Sequence, residues 1–157
     1  MIRNFRLEDI NYIINSHYEI YNQEYDYDLS FKEFIANSLE DFIKRSDYLK
    51  ENIWIAEING EPKGSICITK FDESTAQIRL FIVDPKQRGT GIGKQLIEKS
   101  IDFCKLVNYK TITLWTNSDL KAARSLYENY GFKLMETKKV ILSNQNLIEE
   151  RWELNIF

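Results

Sequence analysis

The sequence predicts an α+β fold in one domain spanning residues 1–157, with a mixed, mostly antiparallel sheet of about seven strands and four helices in the order β-α-α-β-β-β-α-β-α-β-β. Three observations predict it. Apolar residues recur at three and four residue intervals in four separate segments, the signature of amphipathic helices. Between the second and third of these lie alternating, β-branched runs joined by Asn59-Gly60, a strong short hairpin signal. A glycine-rich stretch, Val83 to Lys94, then joins a strand pattern to a helix pattern, so the next strand must return parallel to the one before it.

Taken in order, residues 2 to 6 read as a short strand. From Leu7 the pattern turns helical, with Ile10, Ile13, Ile14, His17 and Tyr21 on one face. Tyr21 to Asp28 reads as a polar, tyrosine-rich loop, either a solvated connection or the lining of a pocket for a cationic or amine substrate. Ser30-Phe31-Lys32-Glu33 reads as a capping box opening a second helix that runs to about Arg45. Strands follow at Ile53 to Ile58, at Gly64 to Phe71, delayed by Pro62, and at Ala76 to Val83. In the last of these, Ile78, Leu80 and Ile82 should share one face, and Gln77, Arg79, Phe81 and Val83 the other. The third helix carries Ile92 to Val107 and stops near Asn108. Thr111 to Thr116 is the parallel strand, Ser118 or Asp119 can cap the fourth helix, and Gly131 ends it. Two strand patterns, about Phe132 to Leu142 and Leu147 to Asn155, close the chain around a turn at Ser143 to Asn146.

Composition narrows the class of protein. With 157 residues, 43% of them hydrophobic, the chain has enough apolar material for one core and is too short for two comfortable ones. A formal charge of −3 and the lack of any basic block argue against a nucleic-acid partner. The N-terminus has no signal-peptide pattern and no apolar run is long enough to span a membrane, so a cytoplasmic protein with no membrane partner is expected. Cys67 and Cys104 lack metal or redox spacing and read as buried free thiols, and with a single histidine no metal site is expected.

The stretch Val83-Asp84-Pro85-Lys86-Gln87-Arg88-Gly89-Thr90-Gly91-Ile92-Gly93-Lys94 has the makings of a phosphate cradle. A helix N-terminus presents unpaired N–H groups and a positive dipole end, and glycines allow positive φ and close backbone approach. Spacing rules out a Walker loop, because Gly93-Lys94 is followed by Gln95. The order G-x-G-x-G likewise departs from the dinucleotide fingerprint. What remains, Arg88-x-x-Gly91-x-Gly93 after Pro85 at a strand end, resembles the pyrophosphate loop of the GNAT superfamily of acyl-CoA-dependent N-acyltransferases. Ala123-Arg124-Ser125-Leu126-Tyr127-Glu128-Asn129-Tyr130-Gly131-Phe132 is similar to that family's A-x-x-L-Y-x-x-x-G-F signature, and the element order is also the family's. More narrowly, Ala76 to Leu80, Leu114 to Thr116 and Arg151 to Leu154 look like acetyltransferase domains sometimes fused behind winged-helix regulators of the MarR type. The 157 residues leave no room for such a regulator beside this domain, so no DNA role is expected from the resemblance.

The resemblance implies acetyl-CoA (coenzyme A) as cofactor. The backbone of Ile82 and Val83 would bond the pantetheine arm, the N–H groups of Arg88, Gly89, Thr90, Gly91, Ile92, Gly93 and Lys94 would hold the pyrophosphate, and Asn117 and Ala123 would flank the arm from the other side. Tyr127 matches the tyrosine that lies near the cofactor's sulfur in the family, where a phenol can give its proton to the departing thiolate. The alternative for Tyr127 is plain core packing.

Two departures from the family pattern bear on the acceptor. Many relatives place a glutamate base where this chain has Gln77, which leaves Glu73, Glu24, His17 or a water held by Gln77 as candidates. His17, on or beside an apolar stripe, reads more readily as a hydrogen-bonded core residue. The usual asparagine seven residues before the tyrosine is Leu120, with Asn117 the nearest substitute. Gln77 and Arg79 should face the acceptor; Arg79 is either a clamp for a substrate carboxylate or the ion-pair partner of an acid on the first two helices. The expected function is N-acetyl transfer from acetyl-CoA to a primary amine of a small molecule or protein residue, by direct attack in a ternary complex. The alternative is a non-catalytic acyl-CoA-binding or sensing module. The residues leave the acceptor's identity and a homodimer through the last strands open.

Overall fold

The computed structural model describes residues 1–45 and 47–157. The element order is the predicted one: β1 (Ile2–Asn4), α1 (Ile10–Tyr25), α2 (Leu29–Arg45), β2 (Asn52–Ile58), β3 (Glu61–Lys70), β4 (Thr75–Val83), α3 (Ile92–Leu106), β5 (Thr111–Asn117), α4 (Lys121–Asn129), β6 (Lys133–Leu142) and β7 (Gln145–Asn155). Short 3₁₀ turns at Leu7–Asp9 and Pro85–Gln87 lead toward α1 and α3. The strands form one sheet in the order β1-β2-β3-β4-β5-β7-β6, antiparallel except for the β4–β5 pair. No described helix is long and apolar enough to cross a membrane.

Each face of the sheet buries its own core. On one face, Trp54, Ile66, Ile68, Ile78, Ile112 and Leu114 meet Leu96, Ile97, Ile101 and Cys104 of α3 and Tyr127 of α4. On the other, Ile53, Ile55 and Cys67 meet Ile13 of α1 and Phe31, Ile35, Leu39 and Phe42 of α2. Full burial of each such side chain is worth roughly 1.5–3 kcal/mol, so the two apolar layers fix which sheet face each helix pair covers. Cys67 and Cys104 are free and buried, as expected, and burial pushes both thiols up, Cys104 to about 12.

Several local expectations are corrected. Tyr21 to Asp28 is mostly helix: α1 continues to Tyr25 because His17, Tyr21 and Tyr25 extend the inward stripe at four-residue steps. Asp26 ends the helix in the left-handed region (φ 57°), its N–H bonded to Asn22 O. The second helix opens at Leu29, not after Ser30. The Asp28 carboxylate accepts the Ser30 N–H at 3.0 Å, so Asp28 does the capping. β3 begins at Glu61 because Pro62 sits at a register shift opposite Glu57, where a missing N–H costs no ladder bond. Neither Ser118 nor Asp119 caps α4; its first turn follows Leu120, while Asn117 Oδ1 accepts the Asp119 N–H at 3.0 Å. The hairpin turns do form as predicted, with Asn59 and Gly60, and Ser143 and Asn144, all at positive φ.

The correction with most consequence lies in β4. Leu80 has φ 50°, and the β3–β4 register shifts between Ser65 and Cys67, so Leu80 forms a bulge. The bulge breaks strict alternation. Ile78, Phe81 and Val83 pack on the α3 face, while Leu80 packs on the α1–α2 face. Gln77 and Arg79 precede the bulge and keep a common face, and Arg79 points toward α2, where its Nη2 donates to Ser38 Oγ at 2.9 Å.

Candidate active site

The sheet opens at its parallel pair. β4 and β5 are in register only from Thr75 to Gln77 against Thr111 to Thr113; beyond Gln77 they part, β5 staying with β7 and β4 with β3. The β5-facing backbone edge of β4 from Ile78 to Val83 thus has no strand partner, a place for an extended ligand to add as a strand would. A cavity of about 980 Å³ fills the opening. It is lined by Gln77 to Val83 of β4, Leu114 to Asn117 of β5, Arg88 to Gly91, Gly93 and Lys94 of the glycine loop, Ala123 and Tyr127 of α4, and the inner side of α1 and α2.

The glycine loop is built to leave amides free. Asp84 caps the 3₁₀ turn by accepting the Lys86 N–H at 2.9 Å. Gly89 and Gly91 then take φ 83° and 91°, a region costly for residues with a Cβ. An added Cβ at either would meet nothing within 4 Å, so backbone conformation, not space, selects glycine there. The Arg88 and Thr90 amides turn inward to Pro85 O and Gln87 O. The amides of Gly89, Gly91, Ile92, Gly93 and Lys94 have no acceptor among the described residues, and four of them cluster at the N-terminus of α3, where the helix dipole adds its positive end. Of the seven amides expected to hold a diphosphate, five are thus unpaired among the described residues and two, those of Arg88 and Thr90, are not.

Arg88 has a second role. Its Nη1 and Nη2 grip the two carboxylate oxygens of Glu24 at 2.7 and 2.6 Å, tying the loop to the last turn of α1. That hydrogen-bonded guanidinium holds the Glu24 carboxyl below the usual carboxylate range, so Glu24 is ionised and engaged. Glu73 is remote: it is 89% exposed, pairs with Lys70, and lies in the turn before β4, at the closed end of the strand pair. Neither carboxylate is placed as a ready base.

His17 lines the cavity yet is only 3% exposed. Its Nδ1 lies 2.7 Å from Ile13 O; a carbonyl can only accept, so Nδ1 carries the proton and Nε2 is the bare lone pair. Nε2 has no partner. Burial depresses the imidazole pKa to about 4, which keeps the ring neutral and makes it a weak base. The core reading of His17 therefore holds for one ring nitrogen and fails for the other.

Tyr127 is 5% exposed, its ring packed against Phe81 and Phe132 at centroid distances of 6.2 and 5.8 Å. Its hydroxyl forms no hydrogen bond with any described residue, and burial raises its pKa, so the phenol stays protonated. Ala123 lies one helical turn before it and also lines the cavity. Asn117 is committed elsewhere, its Nδ2 donating to Tyr27 Oη at 2.6 Å and its Oδ1 accepting from Asp119. The pocket-lining alternative for Tyr21 to Asp28 holds for Tyr21, Glu24, Tyr25 and Tyr27, which all line the cavity. What sequence reasoning missed is that the wall continues into Phe31 and Phe34 of α2, with Tyr21 and Phe31 stacked at 4.8 Å.

A sheet split beside a glycine-capped helix, with a neutral phenol in the opening, is the arrangement that the resemblance to acyl-CoA-dependent N-acyltransferases implies. Residues 14–132 match the family model described as the acetyltransferase (GNAT) family, and the chain belongs to that family. It is 27% identical over 144 residues to an uncharacterised N-acetyltransferase of Methanocaldococcus jannaschii, covering 88% of this chain and 62% of that protein. It is 36% identical over 81 residues to the N-acetylaspartate synthetase of Danio rerio, covering 51% of this chain and 29% of that one. The chain thus spans less than two thirds of the length of either relative. The fold is shared with a Salmonella typhimurium protein assigned as an acetyltransferase and solved with its cofactor acetyl-CoA, at TM-score 0.79 and 15% identity over 100% of this chain and 94% of that one.

Proposed function

We propose that the protein transfers an acetyl group from acetyl-CoA to a primary amine by direct attack in a ternary complex. The observation that carries this reading is the opening between β4 and β5, flanked at one end by unpaired amides of the α3 N-terminus and containing the free hydroxyl of Tyr127. The residues fit the cofactor: the amides of Gly89, Gly91, Ile92, Gly93 and Lys94 would hold the pyrophosphate with Arg88, the open edge at Ile82 and Val83 would take the pantetheine amides, and Ala123 would flank the arm. When bound, acetyl-CoA supplies the activated acetyl thioester. Tyr127 stands as the proton donor to the leaving sulfur, since a buried neutral phenol can give a proton there but carries no charge to repel a thiolate. Gln77 and Arg79 face the acceptor side. An acyl-enzyme is disfavoured because neither cysteine lines the cavity and burial holds both thiols protonated.

The amine must lose a proton, and a free alkylamine near pKa 10 is mostly charged at neutral pH. With Glu24 engaged by Arg88, Glu73 outside the cavity and His17 a weak base, the proton leaves through water held at the Gln77 side of the cleft. Holding both reactants in one cleft would supply much of the rate, up to roughly 7–11 kcal/mol in well-oriented cases.

Calorimetric titration with acetyl-CoA tests the cofactor reading. Saturable binding is expected, and Gly91→Val should weaken it by about ten-fold or more, because a β-branched residue held at φ 91° costs roughly 1–3 kcal/mol or pulls the amides out of line. No heat from a properly folded wild-type sample would remove the reading.

A further inference from the structure

The charged groups of the cavity lining are matched, with one exception away from the phosphate loop. Arg88 is held by Glu24, and Lys138 lies 3.6 Å from Glu149 and over the Trp115 ring. Lys94 stands in the first turn of α3, beside the free amides. Arg79 has no carboxylate within ion-pair distance among the described residues. Glu51, which shares the surroundings of Cys67 with Arg79, is engaged by Arg45 at 3.1 Å. Its one side-chain partner among the described residues is the neutral Ser38 hydroxyl, which occupies a single donor of the five a guanidinium carries. A partly buried guanidinium with most donors unmatched is a standing demand for an anion, and its fork matches a carboxylate in bidentate fashion.

The rest of the lining points the same way. Its two carboxylates, Glu24 and Glu149, already have cationic partners, and His17 is neutral, so no carboxylate among the described lining residues is free to pair with a second ammonium. Between Arg79 and the loop, the wall of α1 and α2 offers aromatic rings, Tyr21, Phe31 and Phe34 among them, and no unpaired charge. We infer that the acceptor is a small primary amine that itself carries a carboxylate, an amino acid in the simplest case, with Arg79 binding that carboxylate. This inference rests on the acetyl-transfer reading and specifies its acceptor.

The test measures thiol release from acetyl-CoA with the twenty α-amino acids, each beside its carboxamide and its decarboxylated amine, and with short peptides that begin with an acidic residue. For the best amino acid, kcat/KM is expected to exceed that of its two uncarboxylated analogues by about ten-fold or more. In Arg79→Gln the preference should collapse through a raised acceptor KM, with acetyl-CoA binding by calorimetry unchanged, and Arg79→Lys should restore it only in part because an ammonium lacks the fork. Equal turnover of the uncarboxylated amines, or a preference that survives in Arg79→Gln, overturns the inference and leaves acetyl transfer standing. Better turnover of the peptides than of any free amine overturns the small-molecule acceptor. No thiol release with any amine, from protein that binds acetyl-CoA, counts against acetyl transfer itself and takes the inference with it.

Discussion

Tyr127→Phe is expected to lower turnover by about ten-fold at least, and by up to the ~10² to 10⁴ that general acid–base groups supply, while acetyl-CoA affinity stays within about two-fold. The substitution removes one oxygen atom from a residue whose ring contacts to Phe81 and Phe132 it preserves. Because the hydroxyl has no partner among the described residues, its loss leaves no orphaned donor or acceptor, and the melting temperature should hardly move. A structural role and a chemical role are thereby separated. If Tyr127 only packs the core, the phenylalanine variant keeps full kcat, and that result would strip it of its part in catalysis. Steady-state thiol release at saturating acetyl-CoA, alongside calorimetry on the same preparation, reads both quantities.

The glycine loop and the tyrosine were legible in the sequence because their constraints are local. Positive φ at Gly89 and Gly91 calls for glycine whatever surrounds it, and Tyr127 stands at a fixed offset from Gly131 on one short helix. The turns at Asn59-Gly60 and Ser143-Asn144 were legible for the same reason. The bulge at Leu80 was not: leucine gives no sign of a left-handed conformation, which here is imposed by the register of β3 against β4. One unpredicted residue reversed the facing of Phe81 and Val83 and put both against α3. The partners of Arg79 and Arg88 were also out of reach, since they sit 41 and 64 residues away in sequence and only packing chooses between Ser38, Glu24 and the other polar groups of α1 and α2. Capping at Asp28 in place of Ser30 shows a smaller version of the problem, two competing oxygens two residues apart with the choice made by where α1 ends.

Wild-type protein is expected to lose about 3 kcal/mol more unfolding free energy between pH 7 and pH 4 than His17→Leu does. The folded imidazole titrates at about 4 because burial penalises its charged form, against 6.5 for the exposed group. Between those values the unfolded chain binds a proton that the native state refuses. The stabilisation is therefore fully present above pH 6.5 and is lost as pH falls through 4, where the native ring protonates too. Carboxylates such as Asp9, Glu24 and Asp28 also titrate as acid is added, but they are common to both proteins and cancel in the difference. Leucine suits the position because Ile13 O keeps the helical N–H of residue 17 when the imidazole Nδ1–H is lost. It also removes Nε2, the one buried side-chain polar atom without a partner among the described residues, so its stability at pH 7 need not fall far below the wild type. Urea unfolding at pH 7, 6, 5 and 4 measures the two curves. Parallel curves would mean that the imidazole charges freely in the folded state, and the neutral ring assigned to the cavity wall would have to be given up.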